Sequence, residues 1–316
     1  MNRKAGDVDH GPDRGNPPGD DPVPDLSIVL IVRHPQETPD AVLAALAAEP
    51  GIETVEVIVV DGRPGATGPA TAGPLQVGTL LRATGNMPRL KAEGAAWALG
   101  ASLAFLEPKA IPVGGWLAAA RAALARHPGA ALGGAVSLAG GGAADRAAYL
   151  FEYGAFPPEI VAQGTTTDLP GNNMILPAKA LRRVCADILG EEGLNKPFCQ
   201  ERLRAGGTAI IMVPGMQVGM VTCHRLPALL ASRYRYARCF GGTRAALAGR
   251  SQRWRYRLGA PAVPVLLLAR HLARAMRGRR PGLATLTALS ALCLAWSVGE
   301  ALGSWAGPGR SCERLY

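Results

Sequence analysis

The chain has 316 residues, of which 48% are hydrophobic and 18% charged, with a formal net charge of +10. That is enough for one large domain or two ordinary ones with a packed core. The six cysteines form no CxxC pair and no His/Cys cluster at zinc spacing, which excludes a zinc module and reads as scattered reduced thiols in a cytosolic protein. Abundant Ala, Gly and Arg fit a bacterial genome of high GC content.

Residues 1–24 are polar and rich in Gly, Pro and Asp, with no apolar h-region, so they read as a disordered tail and not as a signal peptide. LSIVLIV (26–32) is a continuous β-branched run, the pattern of a strand buried on both faces. DAVLAALAAE (40–49) has helical spacing, and VEVIVVDG (55–62) is a second buried strand ending at Asp61. Strand, helix and strand in this order predict a βαβ unit on a parallel sheet.

A short third strand is expected within 73–84, a helix over 89–100, a strand over 102–107 and an amphipathic helix over 114–127. A strand over 130–142 runs into a glycine-rich loop. Residues 143–190 read as irregular and then helical, followed by a helix closing at 200–207 and a strand over 208–214. The fold class is α/β, a doubly wound, mostly parallel sheet whose ligands belong beyond the carboxyl ends of its strands. Asp61 and Glu107 both stand at such ends and are expected at the lip of one crevice.

The last ninety or so residues differ. No Asp or Glu occurs between Arg202 and Gly299, whereas arginine is dense. Such a block seeks anions. Residues 229–244 alternate Arg with Tyr and Phe, 259–269 are apolar but too short to span a bilayer, and 281–299 form an uncharged run near the lower limit for spanning. A single span, a re-entrant hairpin, a surface-lying helix and a buried soluble hairpin all stay open for this run. The expected organisation is 1–24 as tail, 25–222 as the α/β domain, and 223–316 as a basic, helical, membrane-associated region.

Taken in order, LSIVLIVRHP, VEVIVVDG, FLEPKAIPVGGWL, LPGNNMILPAKAL and ERLRAGG resemble the family 2 glycosyltransferases of GT-A fold, over residues 26–220. HRLPALLASRYRYARCFGG and AWSVGEALGSWAGPG resemble the membrane-associated tail of bacterial members. The resemblance implies transfer of a sugar from a nucleotide-sugar donor to an alcohol on a lipid or cell-envelope glycan. It implies a place at the cytoplasmic face of the inner or plasma membrane, with the C-terminal arginines on an anionic surface.

The resemblance assigns Asp61 to the nucleotide base, whose ring N–H a carboxylate can accept. Val32 and Arg33 match the loop along the nucleoside, and Lys91 a basic residue near the diphosphate. Asn172 and Asn173 match the acceptor side of the sugar, although Gly-Asn-Asn is also ordinary turn chemistry.

The pattern departs from the family at its two acidic positions. The metal loop is Glu107-Pro108-Lys109, in which Glu107 at most could ligate Mg2+ or Mn2+ and Lys109 would repel it. The catalytic base falls on Asn195 and Lys196, with Glu191, Glu192 and Glu201 as nearby substitutes. Two readings follow: metal-independent transfer, with Lys109 or Lys196 neutralising the diphosphate, or a degenerate homologue acting as a binding or scaffold protein. A nucleic-acid-binding role for the Arg/Tyr stretch 233–257 lacks any accompanying RNP, KH or helix-turn-helix pattern.

Overall fold

The computed structural model describes residues 24–63, 79–191, 193–276 and 280–312, with backbone alone at 79–80 and 187–191. The N-terminal tail, the first part of the expected third strand, the side chain of Glu191 and all of Glu192 lie outside the described residues.

Among the described residues nine strands form one sheet: β1 (Leu26–Val32), β2 (Glu56–Asp61), β3 (Thr79–Arg82), β4 (Ser102–Leu106), β5 (Ala110–Pro112), β6 (Ala131–Leu138), β7 (Gly164–Thr165), β8 (Asn173–Pro177) and β9 (Ile210–Met220). Their order is β3-β2-β1-β4-β8-β6-β9-β5, and β7 pairs with β9. The first four are parallel, so their carboxyl ends share one edge, and β8 enters antiparallel to β4. Every residue of β1 is buried, as its β-branched run requires of a central strand.

The described residues divide into two compact units, one drawn from Met1–Gly133 with Gly164–Met216, the other from Gly134–Gln163 with Gln217–Tyr316. The first holds helices α1 (Asp40–Ala47), α2 (Met87–Trp97), α3 (Trp116–Arg126), α5 (Ala178–Glu191) and α6 (Lys196–Ala205). The second holds α4 (Ala143–Tyr153), α7 (Leu226–Leu247), α8 (Arg250–Gly259), α9 (Val263–Ala275) and α10 (Leu283–Ala306).

In the first unit, α2 starts where the Asn86 side chain accepts the Arg89 amide at 3.0 Å. It lies against β1 and β2, so close that a methyl on Gly94 would overlap Val29 and Val60. Gly94 therefore sets the depth at which Lys91, one turn earlier, meets the strand ends. The start of α3 is held from a distance. Buried Glu49, just beyond α1, accepts the amides of Gly115 (2.8 Å), Trp116 (3.2 Å) and Leu117 (3.1 Å). A carboxylate there satisfies orphan donors and complements the positive end of the helix.

Residues 143–190 contain more structure than their sequence predicts. Both α4 and β8 fall there. NMILP opens on a polar residue, yet all five residues of β8 are buried. The polar one, Asn173, is satisfied internally: Trp116 Nε1 donates to its Oδ1 at 2.9 Å, and its Nδ2 donates to Met216 O at 2.7 Å.

In the second unit, α10 packs on α7, α4 and α9. Ala147 and Ala148 of α4, Leu229 of α7 and Leu289 and Leu292 of α10 form its core. Two cysteines there correct the reading of six free thiols. Cys239 and Cys312 form a disulfide with Cα atoms 5.0 Å apart. The pairing closes a 73-residue separation, which no local spacing rule reveals.

Replacing Glu49 by Ala leaves three helix N–H groups without an acceptor. Chemical denaturation should show a loss of about 2 kcal/mol, whereas Glu49→Gln, which keeps one acceptor oxygen, should lose about half as much.

Candidate active site

The carboxyl edge of the parallel strands gathers most of the residues singled out in the sequence. In register, Val32 stands beside Asp61, and Asp61 beside Arg82. Glu107 follows Leu106, the partner of Leu30. Asp61 and Glu107 thus sit two strands apart, about 9.6 Å, on one edge.

They do not share a face. Val29 and Val60 both turn to α2, and Phe105 is the cross-strand neighbour of Val29. Alternation along the strands therefore sends Glu107 to the α2 side and Asp61 to the other. The expectation of a single lip lined by both side chains is corrected in this respect. A cavity of about 480 Å³ lined by Arg89, Glu93, Leu103 and Leu181 includes neither residue.

What connects the two sides is a row of ion pairs. Asp61, with its side chain fully buried, takes Arg63 Nη2 at 2.8 Å and Arg82 Nη1 at 3.2 Å on Oδ2. Its Oδ1 accepts Arg63 Nε at 2.9 Å and the Arg63 amide at 3.1 Å. Burial pushes the Asp61 carboxyl up, but the Arg63 hydrogen bonds and the charges of Arg63 and Arg82 outweigh it and hold the pKa below the usual aspartate value. Arg63 Nη1 also donates to Glu37 O at 3.4 Å.

Glu37 in turn pairs with Lys109 at 3.0 Å. Burial opposes its ionisation as well, and Lys109 overcomes it, keeping Glu37 below the ordinary glutamate range. Beside it His34 is held below the ordinary histidine value, first by burial and then by Lys109 and Arg33, against the attraction of Glu37. Arg33 Nε donates to Gly85 O at 3.0 Å, tying the loop after β1 to the loop after β3.

On the α2 side, buried Lys91 donates to Glu107 Oε1 at 3.0 Å and to Gly171 O at 2.8 Å. Lys196, at the start of α6, donates to Asp168 Oδ1 at 2.7 Å and Leu169 O at 2.8 Å. A side chain on Gly171 would rest on the Lys196 stem, so two lysines converge on residues 168–172. Asn172 is 1% exposed, and its Oδ1 has no hydrogen-bond partner among the described residues; nor has the buried Oδ1 of Asn195. Glu201 is exposed on α6.

The sequence-predicted residues Val32, Arg33, Asp61, Lys91, Glu107 and Lys109 therefore meet along this edge, and Asn172, Asn195 and Lys196 join it through Gly171. Asn173 has both ends of its amide committed to the sheet core. Arg63, Arg82, Glu37 and Asp168 are central to the row but were not singled out. Arg63 carried one signal, its place two residues after Asp61 in the strand-end turn.

The donor set does not fit a divalent cation. Mg2+ and Mn2+ require several oxygen ligands. Here Glu107 is engaged by an ammonium at 3.0 Å, the neighbouring position is Lys109, and Glu37 and Asp168 are engaged by further lysines. Among the described residues no group of three His, Cys, Asp or Glu could hold a metal ion. The row suits an anion better: Arg33, Arg63, Arg82, Lys91, Lys109 and Lys196 outnumber Glu37, Asp61, Glu107 and Asp168.

No protein-family model matches the chain, and no curated protein matches it. Among solved structures it is similar to the mannosyltransferase PcManGT from Pyrobaculum calidifontis in complex with GDP-Man and Mn2+, with a TM-score of 0.48 and 18% identity over 90% of this chain and 74% of that one. It is similar to S. aureus TarS 1-349 in complex with UDP-GlcNAc, with a TM-score of 0.48 and 13% identity over 88% of this chain and 91% of that one. GalNAc-T7 with UDP, GalNAc and Mn2+ gives a TM-score of 0.44 and 12% identity, covering 65% of this chain and 45% of that one. Identity this low makes the likeness one of fold alone.

The depressed Asp61 carboxyl carries a pH signature. A group whose folded pKa is lowered contributes stability in full above its unfolded value, about 4, and loses it as pH falls through the folded value. Asp61→Asn should therefore cost about 2 kcal/mol at pH 7, discounted for the partial exposure of its arginine partners. The gap to wild type should close as pH drops below about 4. Urea titrations of both proteins across that range measure it.

Proposed function

We propose that the first unit binds a nucleotide-sugar donor and that the chain is a GT-A-type glycosyltransferase working without a resident divalent cation. The observation that carries this reading is the row of cations at the carboxyl edge of the parallel strands. A departing nucleoside diphosphate develops negative charge. In this chain the excess of lysine and arginine supplies the compensation that a metal would otherwise bring. Ligands of open α/β sheets gather at this edge, and Asn172 Oδ1, buried without a partner among the described residues, would reach a sugar hydroxyl only after its loop shifts.

Asp61 enters this reading in a changed role. All its acceptor capacity is used by Arg63 and Arg82, so it orients two guanidinium groups toward the edge, and it meets a base N–H only if Arg63 swings aside. Lys196 is ion-paired and Asn195 is neutral, so neither suits a general base. Asp168, in contact with Lys196 and close to Asn172, is the carboxylate best placed to take a proton from an acceptor hydroxyl. The acceptor we propose is a lipid or cell-envelope glycan. The basic second unit meets an anionic membrane surface, so that the first unit serves the donor and the second, which holds residues 134–163 and 217–316, the membrane.

A second reading, a binding or scaffold homologue without turnover, is favoured by the neutral and cationic residues at the two expected acidic positions.

Calorimetric titration with UDP- and GDP-sugars, in Mn2+ and in EDTA, tests the proposal. Binding of equal strength in both is the expected result; binding that vanishes in EDTA overturns metal independence, and no binding to any nucleotide sugar overturns the donor reading. Lys91→Met should weaken diphosphate binding about tenfold through loss of one buried charge-assisted contact. With a transferable acceptor, Asp168→Asn should lower kcat by about a hundredfold or more with donor binding intact; unchanged donor binding with no turnover in the wild type supports the scaffold reading.

A further inference from the structure

Among the described residues, the second unit presents an apolar face that is largely exposed. On α10, Leu294, Val298, Leu302 and Trp305 recur at spacings of three and four, and all are exposed. Such spacing places them on one stripe. On α8, Trp254 is exposed and Leu258 is 72% exposed. The two patches are continuous, because Trp254 meets Trp305 edge to face with ring centroids 5.9 Å apart. The Arg257 guanidinium lies 5.4 Å and 5.1 Å from the same two rings. Exposed Arg250, Arg255 and Arg270 belong to the same unit. No acidic residue occurs from Arg202 to Gly299.

Helix α10 is the one helix among the described residues long and apolar enough to cross a membrane. At 24 residues it would measure about 36 Å. Its opposite side, however, is committed to protein. Gly299 and Gly303 lie against the backbone of α7 at Tyr234 and Arg238, where a methyl group would overlap a carbonyl oxygen. Buried Glu300 accepts Arg244 Nη2 at 2.5 Å and Trp296 Nε1 at 2.7 Å. Beyond the helix, the Cys239–Cys312 bond returns the chain to α7. A spanning α10 would either part from α7 and strip Glu300 of its partner, or draw Arg233, Arg235, Arg238 and Arg244 of α7 into the bilayer. Charged groups in hydrocarbon cost several kcal/mol each.

We propose that the second unit docks side-on to an anionic phospholipid surface, with Trp254, Leu258, Leu302 and Trp305 entering the interfacial layer and Arg250, Arg255 and Arg270 meeting lipid phosphates, and that α10 does not cross. The inference rests on the membrane placement proposed above and specifies its mode. Tryptophan and leucine side chains with Arg257 between the two rings, in a unit where Arg250, Arg255 and Arg270 are exposed, match the apolar boundary and charged headgroups of such a surface. A second copy of the chain would set arginine against arginine, so self-association through this face is disfavoured.

Flotation of the full chain with vesicles of phosphatidylcholine, alone or mixed with phosphatidylglycerol, tests the proposal. Binding should appear with the mixed vesicles and fall as salt rises. Trp254→Ser with Leu258→Ser, both exposed positions, should reduce it about tenfold or more. Arg255→Gln and Arg270→Gln should each reduce it about fivefold, with unchanged circular dichroism showing that the variants fold. The quenching that a Leu294→Trp variant adds over the wild type, whose own Trp254 and Trp305 lie in the layer, reports depth: lipids brominated near the headgroups should quench the added signal more than lipids brominated near the chain ends. No binding to any vesicle overturns both the membrane placement and its mode. Binding that ignores the four substitutions, or deep quenching at residue 294, overturns the docking mode and leaves the placement standing. A wild-type dimer that becomes monomeric in the Trp254/Leu258 variant assigns the face to a second copy instead and also overturns the mode.

Discussion

A carboxylate taken out of water at the end of a strand must find a cation, and along this sheet edge the chain provides its own. Asp61 is answered by Arg63 and Arg82, Glu37 by Lys109, Glu107 by Lys91, and Asp168 by Lys196. These pairs do more than neutralise charge. They tie the loops after β1, β2, β3 and β4 to one another and to residues 168–172. The spacing of the edge is thereby set before any ligand arrives, which is the condition for electrostatic stabilisation without reorganisation. The α/β scaffold delivers the residues to the edge, and the pairing leaves cations in excess there.

The strands were legible because burial on both faces leaves an unmistakable apolar run, as in residues 26–32 and 56–61. Helices with one exposed side, such as α3, were legible by their spacing. Legibility stopped where a residue's role depends on a partner distant in the chain. Position identified Lys91 and Glu107 separately, but nothing in the sequence reveals that each is the other's counter-ion across sixteen residues. Arg82 and Asp168 were passed over for the same reason, since each acquires meaning only from the carboxylate or lysine it faces. Asn173 shows the converse. Its Gly-Asn-Asn setting reads as a loop at a ligand, yet it opens a short buried strand whose neighbours consume its amide. The Cys239–Cys312 link is likewise invisible to spacing rules.

The long apolar helix near the C-terminus presents a different ambiguity. A hydropathy window averages around the helix and so merges two faces that are apolar for separate reasons. One is rich in small residues and lies on α7, with Glu300 buried among polar partners. The other carries Leu294, Leu302 and Trp305, which are exposed among the described residues. Only the direction of each side chain separates the two, and direction is what three-dimensional packing adds to composition.

The ion-pair row also bears on how such an edge could change over generations. Converting Lys109 to an acidic residue would not by itself create a cation-binding centre, because Glu37 would lose its counter-charge while Lys91 still occupied Glu107. Replacing Lys91 first would strand Glu107 and release the Gly171 carbonyl. Each single step toward an acidic loop passes through a less stable molecule, so such a change must be concerted. The arrangement is self-locking: each pair guards its neighbours against single replacement.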